Sequence, residues 1–287
     1  MEEIKIQRDS IRKDHGSNTR NLTEEISLKD KSYFATNLGV LYNNDCLTIM
    51  PKMKSNTFDC IFADPPFNLG KDYGTGFIDN NEDYFDWSKK WILEGIRLLK
   101  DGGSFFIYAM PSIAVKLVNE LNEALEFRNW ISMSMKGSLP IPKRLYPAHY
   151  ALLYYTKGKP NVFNQLRIPV QKCRHCGGEV KDYGGHRGKL NPEGLNLSDF
   201  WEDTSPNRHK KYKVRPGVNE LKITIPERAI LMSTNEGDLV LDPFGGGGST
   251  YEVCENYNRR WVGIEKFDCG VIKKRLENNL LTNQNPN

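Results

Sequence analysis

A carboxylate, two prolines and an aromatic ring stand together at Asp64-Pro65-Pro66-Phe67, directly after the apolar run Phe58-Asp59-Cys60-Ile61-Phe62-Ala63. That run has the length and bulk of a buried parallel strand, and the prolines cannot continue a sheet ladder. Asp64 and the Pro65 carbonyl are thus two hydrogen-bond acceptors fixed at a strand's carboxyl end, beside an aromatic face at Phe67 suited to stacking. Open α/β sheets bind their ligands there. A second chemical corner follows the apolar strand 238–241: Asp242-Pro243-Phe244, four glycines from Gly245 to Gly248, then Ser249-Thr250. Such a turn lets ligand atoms approach the backbone closely. Glu265 ends the next strand about 20 residues on, where a carboxylate can accept hydrogen bonds from ribose hydroxyls. A nucleoside-bearing cofactor is implied. The dinucleotide pattern G-x-G-x-x-G is incomplete, because counting from Gly245 or Gly246 the third position holds Thr250 or Tyr251. A nicotinamide or flavin dinucleotide is therefore disfavoured.

The elements that must position these corners follow an alternating pattern. Val40-Leu41-Tyr42 reads as a short strand, with a helical turn after Asp45, and the strand ending at Asp64 comes next. Apolar residues from Tyr84 to Lys100 fit one helical face, stopped by Asp101-Gly102-Gly103. Strands are expected at 104–109, 130–135 and 149–156, and a helix at 113–125. After residue 218 the pattern resumes with a helix at 225–234, the strand 238–241, a helix from Tyr251, the strand 261–264 and a final helix through Leu276. Strands alternating with helices predict an α/β fold, a mostly parallel twisted sheet with helices on both faces. Residues 1–35 read as a mobile or loosely docked arm. Residues 36–156 and 219–287 form two halves of one domain, and 157–218 an insertion poor in apolar runs.

The charge is uneven. The chain of 287 residues carries a net charge of +4, yet residues 136–216 alone hold 16 Lys and Arg against 6 Asp and Glu. That segment is either a solvated basic face or the place where a polyanion docks. No apolar run reaches the roughly 18 residues of a membrane span, and the polar N-terminus does not read as a signal peptide, so an intracellular chain with reduced thiols is expected.

Asp242-Pro243-Phe244-x-Gly246-x-Gly248-Ser249-Thr250 resembles the S-adenosylmethionine motif of DNA amino-methyltransferases, and Asp64-Pro65-Pro66-Phe67-Asn68 resembles their catalytic motif. The order, catalytic motif first, basic insertion next and cofactor motif last, is similar to the β class of these enzymes, and the resemblance covers roughly residues 38–280. It implies a Rossmann-like methyltransferase fold with an inserted target-recognition region. It also implies methyl transfer from S-adenosylmethionine to the exocyclic N6 of an adenine flipped out of double-stranded DNA. Phe244, Gly246, Gly248, Ser249 and Thr250 would line the methionine and ribose part of the cofactor, Glu265 would hold the ribose diol, and Asp45 and Cys46 would lie near its adenine. Asp64, Asp242 and the segment Asn219-Glu220-Leu221 complete the cofactor set, although this part departs from many relatives, which carry a lysine near Thr224.

The chemistry agrees with that resemblance. An exocyclic amino group is a poor nucleophile because its lone pair is conjugated into the ring. Two acceptors, Asp64 and the Pro65 carbonyl, could bind its hydrogens and turn the lone pair outward, while Phe67 stacks on the base and Pro66 stiffens the turn. No cysteine neighbours a proline, which argues against carbon methylation through a cysteine nucleophile. Asp rather than Ser in the first position favours adenine-N6 over cytosine-N4. DNA contacts are expected from Lys143, Arg144, Tyr146 and His149, from Tyr183, His186 and Arg187, and from the run Arg208, Lys210, Lys211 and Lys213. Cys173 and Cys176 supply half of a zinc knuckle or a tight turn with free thiols, and no metal site is assigned. The resemblance further implies a bacterial cytoplasmic protein of a restriction-modification system, with a cognate endonuclease and a second copy of the chain as partners. The competing readings are cytosine-N4 transfer, a nicotinamide-dependent oxidoreductase, and a DNA-binding protein without catalysis.

Overall fold

The computed structural model describes residues 19–70, 82–135, 142–143, 145–170, 176–178, 184–185, 187–189, 191–204 and 220–284. In chain order its elements are helix α1 (Thr19–Glu25), strands β1 (Phe34–Ala35) and β2 (Gly39–Asn43), helix α2 (Cys46–Ile49), β3 (Phe58–Ala63), α3 (Tyr84–Leu98), β4 (Leu99–Ala109), α4 (Pro111–Asn122), β5 (Glu126–Ser134) and β6 (His149–Thr156). They continue with β7 (Arg167–Ile168), β8 (Leu195–Asn196), β9 (Phe200–Trp201), α5 (Thr224–Ser233), β10 (Leu239–Asp242), α6 (Ser249–Asn256), β11 (Arg260–Glu265) and α7 (Cys269–Gln284).

Nine strands make one sheet in the order β1-β2-β11-β10-β3-β4-β6-β5-β9. The run from β2 through β11, β10 and β3 to β4 is parallel, so these strands end at one edge. β6 runs antiparallel to both β4 and β5. The strands are apolar on both sides because both sides are covered. One core layer packs α1 to α4 against Ile61, Ala63, Phe105 and Leu241. The other packs α5 to α7 against Cys60, Phe62, Phe106 and Val240. β3 and β10 are neighbours, and the chain leaves them in opposite directions along the sheet. That juncture is the topological switch point, where a crevice opens.

Several elements differ from their sequence expectations. Residues 19–35 are a docked part of the fold: Leu22, Ile26 and Leu28 are buried, and β1 pairs antiparallel with β2. A helix of seven residues is too short to declare itself by periodicity. Gly102 and Gly103 do not stop a helix; α3 already ends at Leu98, and the glycines lie inside β4. A side chain at Gly103 would press on the Lys100 and Asp59 carbonyls, which explains the residue better than a cap does. The insertion is anchored as well. β9 pairs in parallel with β5, Trp201 is buried, and Asp203 binds the buried Arg228 of α5, whose guanidinium lies over the Trp201 ring.

Candidate active site

The parallel strands β2, β3, β10 and β11 deliver Asn43, Asp64, Asp242 and Glu265 to the same sheet edge. Asp64 follows Ala63 and lies by alternation on the side of Cys60 and Phe62. Its carboxylate has no hydrogen-bond partner among the described residues. Burial and the neighbouring Asp242 carboxylate push its carboxyl up to about 8. Pro65 is buried, and Pro66 and Phe67 are partly buried. Asn68 takes a left-handed φ of 55° that turns the chain away after the motif, a conformation asparagine tolerates.

The turn is held from a residue that sequence reasoning missed. Tyr84, at the start of α3, donates its hydroxyl to the Pro66 carbonyl at 2.8 Å. Its ring lies against Trp87, which with Trp91 packs on Phe244. Removing one such hydrogen bond costs about 1 kcal/mol. Tyr84→Phe is therefore expected to lower the turnover of the chain's reaction about 3–10-fold. Cofactor affinity should stay at the wild-type level, since the bond positions only the acceptor turn; equal changes in turnover and cofactor affinity would assign Tyr84 a general packing role.

Tyr108 and Tyr150 are also absent from the expected set. The β3–β4 register pairs Ala63 with Ile107, so the next position places Tyr108 beside Asp64. Tyr150, two residues before Tyr108's partner Leu152 on β6, stacks on the Tyr108 ring at 5.2 Å, and both rings lie within about 6 Å of Phe67. Burial first, then Asp64, raises both phenols above their usual range.

On the neighbouring strand Asp242 closes the glycine turn. One of its oxygens accepts the Phe244 N–H at 2.9 Å, and Thr250 donates to its side chain. Burial, with Glu265 adding to it, outweighs those bonds and pushes Asp242 up to about 7. Gly246 and Gly248 have φ of 50° and 79°, left-handed values that favour glycine. Glu265 is nearly buried, and its two oxygens accept the Gly246 N–H at 2.7 Å and the Phe267 N–H at 2.9 Å. Each oxygen keeps a second lone pair with which to receive a hydroxyl. Glu265 thus offers acceptors of the kind a diol needs.

Other expected residues are placed differently. Ser249 is buried and donates to the Leu221 carbonyl, which brings the 219–221 segment onto the glycine turn; Glu220 lies against the space beside Gly247, and Asn219 is outside the described residues. Asp45 caps α2 through the Leu47 N–H and pairs with Lys266 at 3.0 Å. Cys46 is buried in the first core layer, and burial raises its thiol. Arg275, unforeseen, is buried and donates to the Gly247 carbonyl and Ser249 hydroxyl, pinning the turn from α7.

Of the expected DNA contacts, Lys143 and Tyr146 are exposed, and His149 begins β6 at the edge where β4 ends beside Asp64. Arg187 opens a short turn, Arg187–Lys189. Arg144, Tyr183, His186, Arg208, Lys210, Lys211 and Lys213 lie outside the described residues, as does Cys173; Cys176 is exposed. No cluster that could hold a metal occurs among the described residues.

Sheet order, switch-point crevice and glycine turn define a Rossmann-like methyltransferase fold. The chain belongs to the DNA methylase family whose model matches residues 58–268. It is 53% identical over 265 residues to the Type II methyltransferase M.BamHI of Bacillus amyloliquefaciens, covering 91% of this chain and 62% of that protein. It therefore spans about three-fifths of that relative's length. M.HpaI of Haemophilus parainfluenzae, also a Type II methyltransferase, is 32% identical across 82% of this chain and 73% of its own. Among solved structures, the cytosine-N4-specific PvuII DNA methyltransferase superposes with a TM-score of 0.57 at 18% identity, over 88% of this chain and 95% of its own. A DNA modification methylase of Thermus thermophilus, complexed with S-adenosyl-L-methionine, does so with 0.56 at 19%, over 84% and 95%. At those identities the likeness concerns the fold.

Proposed function

We propose that the chain transfers the methyl group of S-adenosylmethionine to the exocyclic amino group of a base flipped out of double-stranded DNA, at a specific sequence, and that the base is adenine. The observation that carries the reading is the open Asp64 carboxylate on the strand next to the Asp242–Thr250 cofactor turn. Phe244, Gly246 and Glu265 would hold the cofactor, with Arg275 and Asp242 keeping the turn in shape. The cofactor supplies an electrophilic methyl on a sulfonium.

Everything else falls to the chain's own groups. Asp64 and the Pro65 carbonyl accept the two amino hydrogens and aim the lone pair. Phe67 stacks on the base and offsets part of the unstacking cost. The rings of Trp87 and Trp91 pack on Phe244 and brace the cofactor turn. The Asp in the first motif position supports adenine. Cytosine-N4 is the second reading, favoured by the fold shared with the PvuII enzyme, since the same acceptor pair suits either amino group.

The names of M.BamHI and M.HpaI support the modification role in a bacterial, cytoplasmic restriction-modification system, with a cognate endonuclease; a homodimer is the further assembly we propose. Expression in a host lacking DNA methylation, followed by mapping of modified bases, tests the specificity: modification should recur at one short sequence, and scattered or absent modification would contradict it. The basic insertion from residue 157 to 218 is assigned to the DNA. Neutralising Lys210, Lys211 and Lys213 together should weaken DNA binding and reduce the slope of log affinity against log salt by about 2 to 3. An unchanged slope would move the phosphate contacts elsewhere.

A further inference from the structure

We propose that Tyr108 is a specificity residue, its hydroxyl donating a hydrogen bond to the ring nitrogen adjacent to the target's amino group. The inference rests on the amino-methyltransferase reading but not on which base is the target, because adenine N1 and cytosine N3 offer the same acceptor in the same position.

The geometry is that of a polar pair awaiting a third group. Strand register sets Tyr108 beside Asp64 on the same face of the sheet. The ring is 3% exposed, stacked by Tyr150 at 5.2 Å and flanked by Phe67 at 5.7 Å, so its plane and its hydroxyl direction are set by packing. Neither the phenol nor the Asp64 carboxylate has a hydrogen-bond partner among the described residues, and the two do not bond each other. The ring is buried while the hydroxyl keeps access to solvent, so a ligand group can take the place of water on it. An amino group next to a ring nitrogen supplies both partners at once: one of its hydrogens goes to the carboxylate, and the nitrogen lone pair accepts from the phenol. Tyr108 therefore favours an acceptor beside the amino group, which adds to the demand for an amino group made by Asp64. A phenol this hard to ionise stays a donor across the working pH range.

The test is a two-by-two cycle of enzyme and substrate on a duplex carrying the mapped sequence. Wild type and Tyr108→Phe are each assayed by single-turnover methyl transfer on natural DNA and on DNA whose target is 1-deazaadenine, or 3-deazacytosine where the mapped target is cytosine. Each change alone should slow transfer about 10-fold or more, and the two together should be no slower than the analogue alone. The cycle cancels the altered nucleophilicity of the analogue's amino group. Tyr108→Phe should melt no lower than wild type, because the hydroxyl it loses holds nothing in the fold. Penalties that multiply, or a variant as fast as wild type on natural DNA, overturn the role of Tyr108 while leaving the methyltransferase reading in place. No transfer by the wild-type chain on natural DNA overturns that reading and this inference together.

Discussion

Asp64→Asn should transfer methyl groups at least about 10²-fold more slowly than the wild-type chain and yet melt above it. The carboxylate is the acceptor that orients the amino group, and an amide turns one of its two acceptor oxygens into a donor aimed at the same hydrogens. Loss of a preorganised electrostatic partner of this kind lowers turnover on the order of 10²–10³-fold or more. The stability gain follows from the raised carboxyl of about 8. The folded chain holds the Asp64 proton that the unfolded chain releases near 4, so wild-type stability falls as pH rises from about 4 to 8. An uncharged Asn does not follow that decline. The difference in melting temperature should be small at pH 5 and reach about 2–6 °C at pH 8.5, taking 1–2 kcal/mol after discounting for the partial exposure of the group. Thermal melts of both chains across that range check the sign; a variant that melts lower than wild type at pH 8.5 would remove the strain assigned to Asp64. Active sites commonly trade stability for function in this way.

The same two carboxyl groups predict a proton-linked preference for the cofactor over its product. S-adenosylmethionine carries a positive charge at sulfur, and S-adenosylhomocysteine does not. Asp64 and Asp242, at about 8 and about 7, are substantially protonated near neutrality, and a cation beside them favours the ionised forms. Binding of the sulfonium compound should therefore release up to about one proton, and its affinity should rise as pH climbs from 6 to 8 and level off above. The ratio of the two dissociation constants should shift about tenfold in favour of S-adenosylmethionine over that window. Titration calorimetry in buffers of different ionisation enthalpy reads both quantities. Parallel pH profiles for the two compounds would place the carboxyls away from the sulfur. Asp64→Asn should remove the part of the shift owed to Asp64 and leave that of Asp242.

Much of the site was legible because its turns are written in local chemistry. Asp64-Pro65-Pro66-Phe67 and the run Gly245 to Gly248 announce where strands must stop and where backbone must stay bare, and β10, β11 and Glu265 follow from short apolar runs. What stayed hidden depends on partners far away in sequence. Tyr84 meets Pro66 only because α3 returns over the turn, and Arg275 reaches Gly247 from the last helix. Tyr108 could have been found by placing the end of β4 beside that of β3, but only with the strand register in hand. Asp45 and Cys46 carry contacts that the motif alone does not show: Asp45 caps α2 and pairs with Lys266, and Cys46 packs in the core.

Arg228 illustrates a similar limit for the insertion. Basic composition suggested a separate surface, and nothing in it revealed that Trp201 and Asp203 would tie the segment to α5. The 191–204 segment and α5 therefore share an anchor at one buried guanidinium.

The chain is expected to methylate the exocyclic amino group of adenine in DNA. The most direct test is to incubate the purified chain with duplex DNA and methyl-labelled S-adenosylmethionine, digest the product to nucleosides and identify the labelled one. N6-methyladenine should be the labelled base; label on N4-methylcytosine would contradict the choice of base, and DNA left unlabelled by a chain that binds the cofactor would contradict the activity.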